Sequence, residues 1–518
     1  MSLLLPNPRD YKEVSTSWKA DISAGLTVGI VALPLALAFG VSSGVGAEAG
    51  LITAIVAGLV AAIFGGSPVQ VSGPTGAMVV VLAPIVATHG SGALAVVSLM
   101  AGAFVLLAGI FNLGRLVAMI PWPVIEGFTV GIGITIFWQQ VPAAVGGSLA
   151  KPQLTTLAVT LTTVILMLVL AKFTPRLPSS FIAIILVTLG SMWLKLPLET
   201  IGKLPDSLPT PAIPTLNIAL VQALLGPALA VAALAAIESL LSARVAASIS
   251  TTGPVNADRE LVGQGLASIA AGFFGGMPAT GAIARTAVNV RAGARTRVAG
   301  IVHAIFLVGV VYLASTLVST IPLAALAGVL MVTAARMISP QIFRQVLEAS
   351  KSSVAVFLLT ATVTVTVDLV WAVGVGIIAA GAVALRRLSQ LAQVRREPLP
   401  GSAQPGDDRI GLFQIEGALF FGAAEKLGAM IAAYENIDVA IIRLSQVQLI
   451  DTTGAFTLTQ LVEQLERRGV TVLIKGVRPE HIHLLGVSGA LKQLRRPEHL
   501  FADLSQAVDY ARSLLKSA

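Results

Sequence analysis

Cysteine is absent from this chain of 518 residues, so it holds no disulfide framework and no thiolate metal site. Charge is scarce as well: Asp, Glu, Lys and Arg make up 12% of the residues, against about 25% in an ordinary soluble chain. No segment has the form G-x-x-x-x-G-K-[ST], which argues against an ATP-driven pump. No paired carboxylates, nucleophile triad or metal cluster share a plausible site, so an enzyme reading is poor. The formal net charge is +8, but Arg and Lys lie between apolar runs rather than on one basic face, which excludes a nucleic-acid partner.

What the chain has instead is apolar sequence: 55% hydrophobic residues and a mean hydropathy of +0.87. Asn7 to Lys19 is polar and the first apolar run leads into many more, so a polytopic membrane chain without a cleavable leader is expected. Runs near 22–40, 48–65, 75–88, 91–110, 121–141, 153–172, 180–195, 220–242, 261–275, 281–290, 298–318, 322–337, 352–369 and 371–386 predict fourteen spans. A helix needs about 20 residues to cross a bilayer; the third and tenth runs are too short to cross alone, and a short helix at that depth must end against protein or a cavity. With the amino terminus inside, the inner loops carry Arg115, Lys172, Arg176, Arg244, Arg259, Arg291, Arg295, Arg297, Arg336, Arg344 and Lys351, and the outer loops little beyond Lys151, Lys195 and Lys203. That bias predicts both termini in the cytoplasm.

An internal repeat carries most of the information. Residues 64–77 read FGGSPVQVSGPTGA and residues 274–282 read FGGMPATGA, each ending in Thr-Gly-Ala at the head of a short apolar run. One copy lies in the first seven spans and one in the second seven, and an odd number of spans inverts the second half. The two short helices then approach one midplane point from opposite faces. Their amino ends, each equivalent to about half a positive charge, favour an anion there, an arrangement common in secondary transporters.

The run AGLTVGIVALPLALAFGVSSGVGAEAGL (24–51), both FGG-P segments, IARTAVNVRAGARTR (283–297) and the C-terminal region together resemble the sulfate permease (SulP) family of anion transporters. The resemblance implies a polytopic α-helical protein of two inverted seven-helix repeats (about 22–195 and 220–387). By that resemblance spans 1–4 and 8–11 form a transport core and spans 5–7 and 12–14 a gate or scaffold. It also implies a cytoplasmic STAS domain, elevator-like movement and a homodimer.

Glu238 lies inside an apolar span, where a charge costs about 2.5 kcal/mol or more, so a cavity or partner is expected. Burial favours the neutral acid, which suits Glu238 to proton coupling; the bland alternative is an interfacial acid paired with Arg244. In the cyanobacterial bicarbonate carriers that the chain resembles, an Asp at this position contributes to a sodium site with a hydroxyl four places on. That resemblance points to Glu238, Ser242, Gly281, Ala282 and Ile283, with the Glu and Ile283 departing from the pattern. Arg285, one turn beyond Gly281, contacts the substrate, pairs with Glu238 or packs near the cytoplasmic side. Thr75 offers a hydroxyl at the head of the other short helix, with Gly76 and Ala77, and is an N-cap candidate. Pro34 interrupts span 1, which either lets freed carbonyls, Ala36 and Phe39 line the pocket or only kinks the helix. Gln139 and Gln140 are expected at the outer surface, His303 as a satisfied histidine within the membrane rather than a proton relay, and Asp368 at an exposed turn.

Residues 388–408 read as a linker, and 409–518 as a small α/β domain with strands Ile410–Ile415, Val439–Leu444 and Val470–Ile474 and helices Ala423–Tyr434, Gly454–Arg467 and Leu504–Leu515. The segment VAIIRLSQVQLIDTTGAFTLTQL (439–461) resembles the STAS signature, which makes Thr453 a candidate phosphorylation site or, more simply, an N-cap.

The expectation is a secondary transporter of sulfate, bicarbonate or a small dicarboxylate in the bacterial inner membrane, coupled to protons. It needs no cofactor and no metal beyond a sodium site at Glu238, Ser242 and Gly281. Sodium-coupled bicarbonate uptake, anion exchange, an anion channel and an anion-sensing signalling protein are the alternatives.

Overall fold

The computed structural model describes residues 4–11, 13–117, 120–147, 151–174, 177–204, 206–214, 217–338, 340–367, 369–391, 393–419 and 436–516. The chain divides into two compact units, Met1–Ile378 and Ala379–Ala518.

The first unit is helical, since a bilayer leaves the backbone no partner but its own ladder. Each expected apolar run carries a helix: α1 (Val14–Ser42), α2 (Ala47–Phe64), α3 (Gly76–His89), α4 (Ala93–Ile110), α6 (Trp122–Val145), α7 (Leu154–Phe173), α8 (Ser179–Trp193), α9 (Ile218–Ile249), α10 (Ala257–Phe273), α11 (Ile283–Arg291), α12 (Val298–Val318), α13 (Leu323–Met337), α15 (Lys351–Thr366) and α16 (Leu369–Leu391). Among the described residues, α1, α2, α4, α6, α7, α9 and α12 are long and apolar enough to cross a membrane. A short α5 (Gly114–Val117) and an amphipathic α14 (Pro340–Ala349) fall in segments expected to be loops. The sequence of α14 is too polar to register as a span, yet its Phe343 ring packs edge-on against Phe357 at 5.4 Å. Its Val346 is buried. Asp368 lies outside the described residues.

Two packing groups emerge. In one, α10 lies along α4 and α2, α1 along α12 and α2, and α9 along α4 and α11; in the other, α6 packs on α13 and α15, and α7 on α13 and α8. The first group holds helices of the expected core and the second helices of the expected gate. Close approach in the core depends on missing side chains, as lipid offers no hydrophobic drive between helices. A Cβ on Gly102 of α4 would stand 2.8 Å from the carbonyl oxygen of Gly265 on α10. Large apolar side chains face outward instead, with Leu313 89% and Trp193 83% exposed.

The two repeat segments end in two-residue strands, β1 (Ser72–Gly73) and β2 (Thr280–Gly281). They pair antiparallel, Ser72 opposite Gly281 and Gly73 opposite Thr280.

The second unit is a five-stranded sheet in the order β3 (Gln393–Glu397), β4 (Ile410–Leu419), β5 (Val439–Ile450), β6 (Thr471–Lys475), β7 (Leu500–Phe501). The first pair is antiparallel and the others parallel. Thus part of the expected linker, Gln393–Glu397, is an edge strand: its charges sit on a strand with only one neighbour, where composition alone reads as linker. Helices α17 (Thr452–Arg467), α18 (Pro479–Ser488) and α19 (Leu504–Lys516) complete the unit; the expected helix Ala423–Tyr434 lies outside the described residues.

Candidate functional site at the strand crossing

Because β1 and β2 run in opposite directions, the helices that follow them start at one place. The first ladder bonds of these helices are Val79 N–H to Thr75 O and Thr286 N–H to Ala282 O. The N–H groups of Gly76, Ala77 and Met78, and of Ile283, Ala284 and Arg285, therefore stand ahead of the ladders. Those of Gly281 and Ala282, expected to be free, are engaged: Gly281 donates to Ser239 Oγ at 3.1 Å and Ala282 to Val71 O at 2.9 Å. A backbone bond to the first repeat segment engages Ala282, and α9 engages Gly281.

Glu238 of α9 meets this crossing. The Thr75 hydroxyl and the Thr280 hydroxyl each donate to Glu238 Oε2 at 2.8 Å. Thr75 stands at the N-cap of α3, but its hydroxyl goes to Glu238 and leaves the cap unmade. Beside Glu238 and Ile283 lies a cavity of about 50 Å³, closed by Phe128 and Ile132 of α6, Met337 of α13 and Val373 of α16. It sits on the seam between core and gate.

Arg285 is buried and takes a different place from the one expected. Its Nη2 donates to Pro74 O at 2.7 Å, no ion pair joins it to Glu238 among the described residues, and it does not line the cavity. The guanidinium ties the second repeat's helix to the connection ahead of the first repeat's helix. Ser242 is also committed, its hydroxyl 3.1 Å from that of Thr286, which accepts from Val71 N–H at 3.0 Å. Phe39 is buried against the head of α3, its Cε1 at 3.3 Å from where a Cβ on Gly76 would be. Two expectations are corrected. Gln140 is buried and accepts from the Ser42 hydroxyl at 3.3 Å rather than lying at the outer surface. His303 is buried, and among the described residues neither ring nitrogen has a hydrogen-bond partner, in place of the satisfied histidine expected.

Thr280, Ser239 and Thr286 escaped the sequence reading. For Thr280 the signal was present, since it holds in the second Thr-Gly-Ala the place that Thr75 holds in the first. Ser239 and Thr286 carry no such mark.

The sulfate permease family model matches residues 18–360 and a STAS domain model residues 403–507. This chain belongs to the sulfate permease family. It is 33% identical to the Bacillus subtilis protein named "Putative sulfate transporter YvdB", over 93% of this chain and 96% of that protein. It is 32% identical to the bicarbonate transporter BicA of Synechocystis, over 88% of each. The solved transmembrane domain of a cyanobacterial BicA superposes with a TM-score of 0.65 at 32% identity, covering 69% of this chain and 98% of that one. The murine Slc26a9 anion transporter in its inward-facing state shares the fold, with a TM-score of 0.83 at 16% identity, covering 96% of this chain and 91% of that one. The chain is thus a membrane protein of this family with a C-terminal STAS domain. In that domain the N-cap of α17 is Asp451, whose carboxylate accepts from Gly454 N–H at 2.6 Å; Thr453, the second residue of the helix, is exposed and is not the cap.

Proposed function

We propose that this family member is a secondary active transporter of a small oxyanion (sulfate, bicarbonate or a small dicarboxylate), driven by co-transported protons. The observation that carries the reading is Glu238 Oε2 held by one threonine from each repeat, at the place where two helix ends direct N–H groups inward. A carboxylate there is an internal anion in the position that favours a substrate anion. A proton on Glu238 removes that competing charge, so anion and proton load together. Engagement of Ser242 by Thr286 favours a proton over sodium, because the hydroxyl suggested for a sodium site is already bonded.

The cavity beside Glu238 is small, about 50 Å³, and is closed by side chains of the second packing group. Admission of a substrate therefore requires core and gate to move apart, which supports an elevator-like step between the two packing groups. The names of the curated relatives, sulfate and bicarbonate transporters, support the substrate class. The same reading places the protein in the bacterial inner membrane as a homodimer, with both termini and the STAS domain in the cytoplasm, the latter regulating transport through the exposed Thr453.

Uptake of radiolabelled sulfate, bicarbonate and dicarboxylates into proteoliposomes, under separate pH and sodium gradients, tests this. Accumulation above electrochemical equilibrium that follows the pH gradient is expected. Flux that only equilibrates would make it a channel, binding without flux a sensor, and dependence on sodium alone would remove the proton.

A further inference from the structure

A second cluster of cationic groups stands apart from the crossing, at the end of the bundle where the amino-terminal segment lies. A pocket of about 400 Å³ is lined by Asp10, Glu13, Arg259, Arg295 and Arg297 among others. Its floor is built. Arg259 and Arg297 are 7% and 3% exposed. Arg259 Nε donates to Phe64 O at 3.3 Å, and Arg297 Nη1 to Ala62 O at 3.0 Å. Arg295 is exposed at the rim. Into this pocket the single 3₁₀ turn Pro8–Tyr11 inserts Asp10, whose Oδ2 accepts from Arg259 Nη2 at 2.6 Å and from Asn7 N–H at 3.0 Å. The carboxylate falls short of the second arginine: Arg297 Nε is 3.9 Å from Asp10 Oδ2 and, though buried, has no hydrogen-bond acceptor among the described residues.

One carboxylate oxygen is thus asked to serve two buried guanidinium groups and reaches one. A tetrahedral dianion carries enough oxygens to engage both at once, and guanidinium forks match such anions in geometry as well as charge. We propose that this pocket is a second oxyanion site, for a phosphate-type dianion, and that Asp10 is its built-in occupant. The lining holds three arginines and two carboxylates, and exchange of Asp10 for the dianion frees the amino-terminal turn. The site is separate from Glu238 and shares no residue with the crossing.

Absence of cysteine makes the test direct. A nitroxide on Leu5→Cys, in the full chain in detergent, reports release of the turn as inorganic phosphate is titrated. Increased label mobility at saturating phosphate is expected. Asp10→Asn, which removes the competitor, should lower the phosphate concentration at half-effect, measured by direct phosphate binding, about tenfold, the scale of one charge-assisted hydrogen bond. Arg297→Gln should abolish both responses. Because tighter binding cannot arise from a damaged fold, Asp10→Asn keeps the test sound even where Arg297→Gln expresses poorly. A response to phosphate in detergent makes the source a free anion; one that needs nanodiscs of anionic phospholipid makes it a headgroup. An immobile label under both conditions, or unchanged or weaker binding in Asp10→Asn, would overturn the proposal.

Discussion

The hydroxyls of Thr75 and Thr280 meet at 3.2 Å over the same carboxylate oxygen of Glu238. They occupy the same place in the two copies of Thr-Gly-Ala, so the inverted repeat ends in a two-sided clasp. A hydrogen bond to a charged acceptor contributes about 1.5–3 kcal/mol. Thr75→Val and Thr280→Val should therefore each reduce uptake by roughly ten- to a hundredfold, and by similar amounts. Normal uptake by Thr280→Val beside a failing Thr75→Val would show that the clasp has only one working side.

Replacing Glu238 by Gln keeps the shape and the capacity to accept both hydroxyls, but removes the titrating charge. Anion binding should persist at every pH, while uptake should no longer follow a proton gradient. The measurement is equilibrium anion binding alongside gradient-driven uptake in the same preparation. Retained proton-driven accumulation would place the coupling group elsewhere, His303 being the first alternative since its ring nitrogens are buried without partners among the described residues.

Gly73 is constrained from two directions. Its φ is +150°, a conformation that suits glycine, and a Cβ there would stand 2.8 Å from Arg285 Nη1. Strain of this kind costs on the order of 1–3 kcal/mol, and the clash displaces the guanidinium from Pro74 O. Gly73→Ala should lower both thermal stability and transport, whereas Gly92→Ala, with open space around its Cβ position, should change neither. Equal behaviour of the two variants would mean that the Arg285 tie does not hold the crossing.

Helix positions were legible from apolar runs because a bilayer demands length and apolarity together, and the repeat announced that Thr75 and its counterpart share a place. What the sequence did not disclose is how bonds distribute within that place. Arg285 reads as a ligand by type and spacing, yet its long side chain reaches across to Pro74 O. Gly281 and Ala282 read as open donors, yet Ser239 and the first repeat segment consume them. Gln140 reads as a surface residue because it ends a span, yet the end of α1 covers it. Each difference comes from contacts far apart in the chain, which local pattern does not encode.

In the STAS domain, capping separates two neighbouring residues. Asp451 accepts from Gly454 N–H, while Thr453 is exposed. Loss of a cap costs about 0.5–2 kcal/mol, and a surface substitution is usually within about 0.5 kcal/mol of neutral. Asp451→Ala should accordingly speed amide exchange across the first turn of α17, with Thr453→Ala leaving it unchanged. The reverse order would assign the cap to the threonine.

The last prediction concerns acid. Arg512 of α19 grips Asp407 with two parallel bonds, Nε to Oδ1 at 2.9 Å and Nη2 to Oδ2 at 2.8 Å. These bonds, with the Gln404 N–H, hold the Asp407 carboxyl below its usual value of 3.8. A carboxyl whose pKa is lower folded than unfolded contributes stability that is complete above the unfolded value and fades as pH falls through the folded one. Asp407→Asn should therefore loosen α19 at neutral pH, seen as faster amide exchange in Leu504–Lys516 relative to the unaltered chain. The gap should close below about pH 4, where the unfolded carboxyl takes up its proton. A gap that persists undiminished at about pH 3 would mean that the asparagine disturbs the turn by its shape and not by its charge, since the ion pair would by then be fading in the unaltered chain as well.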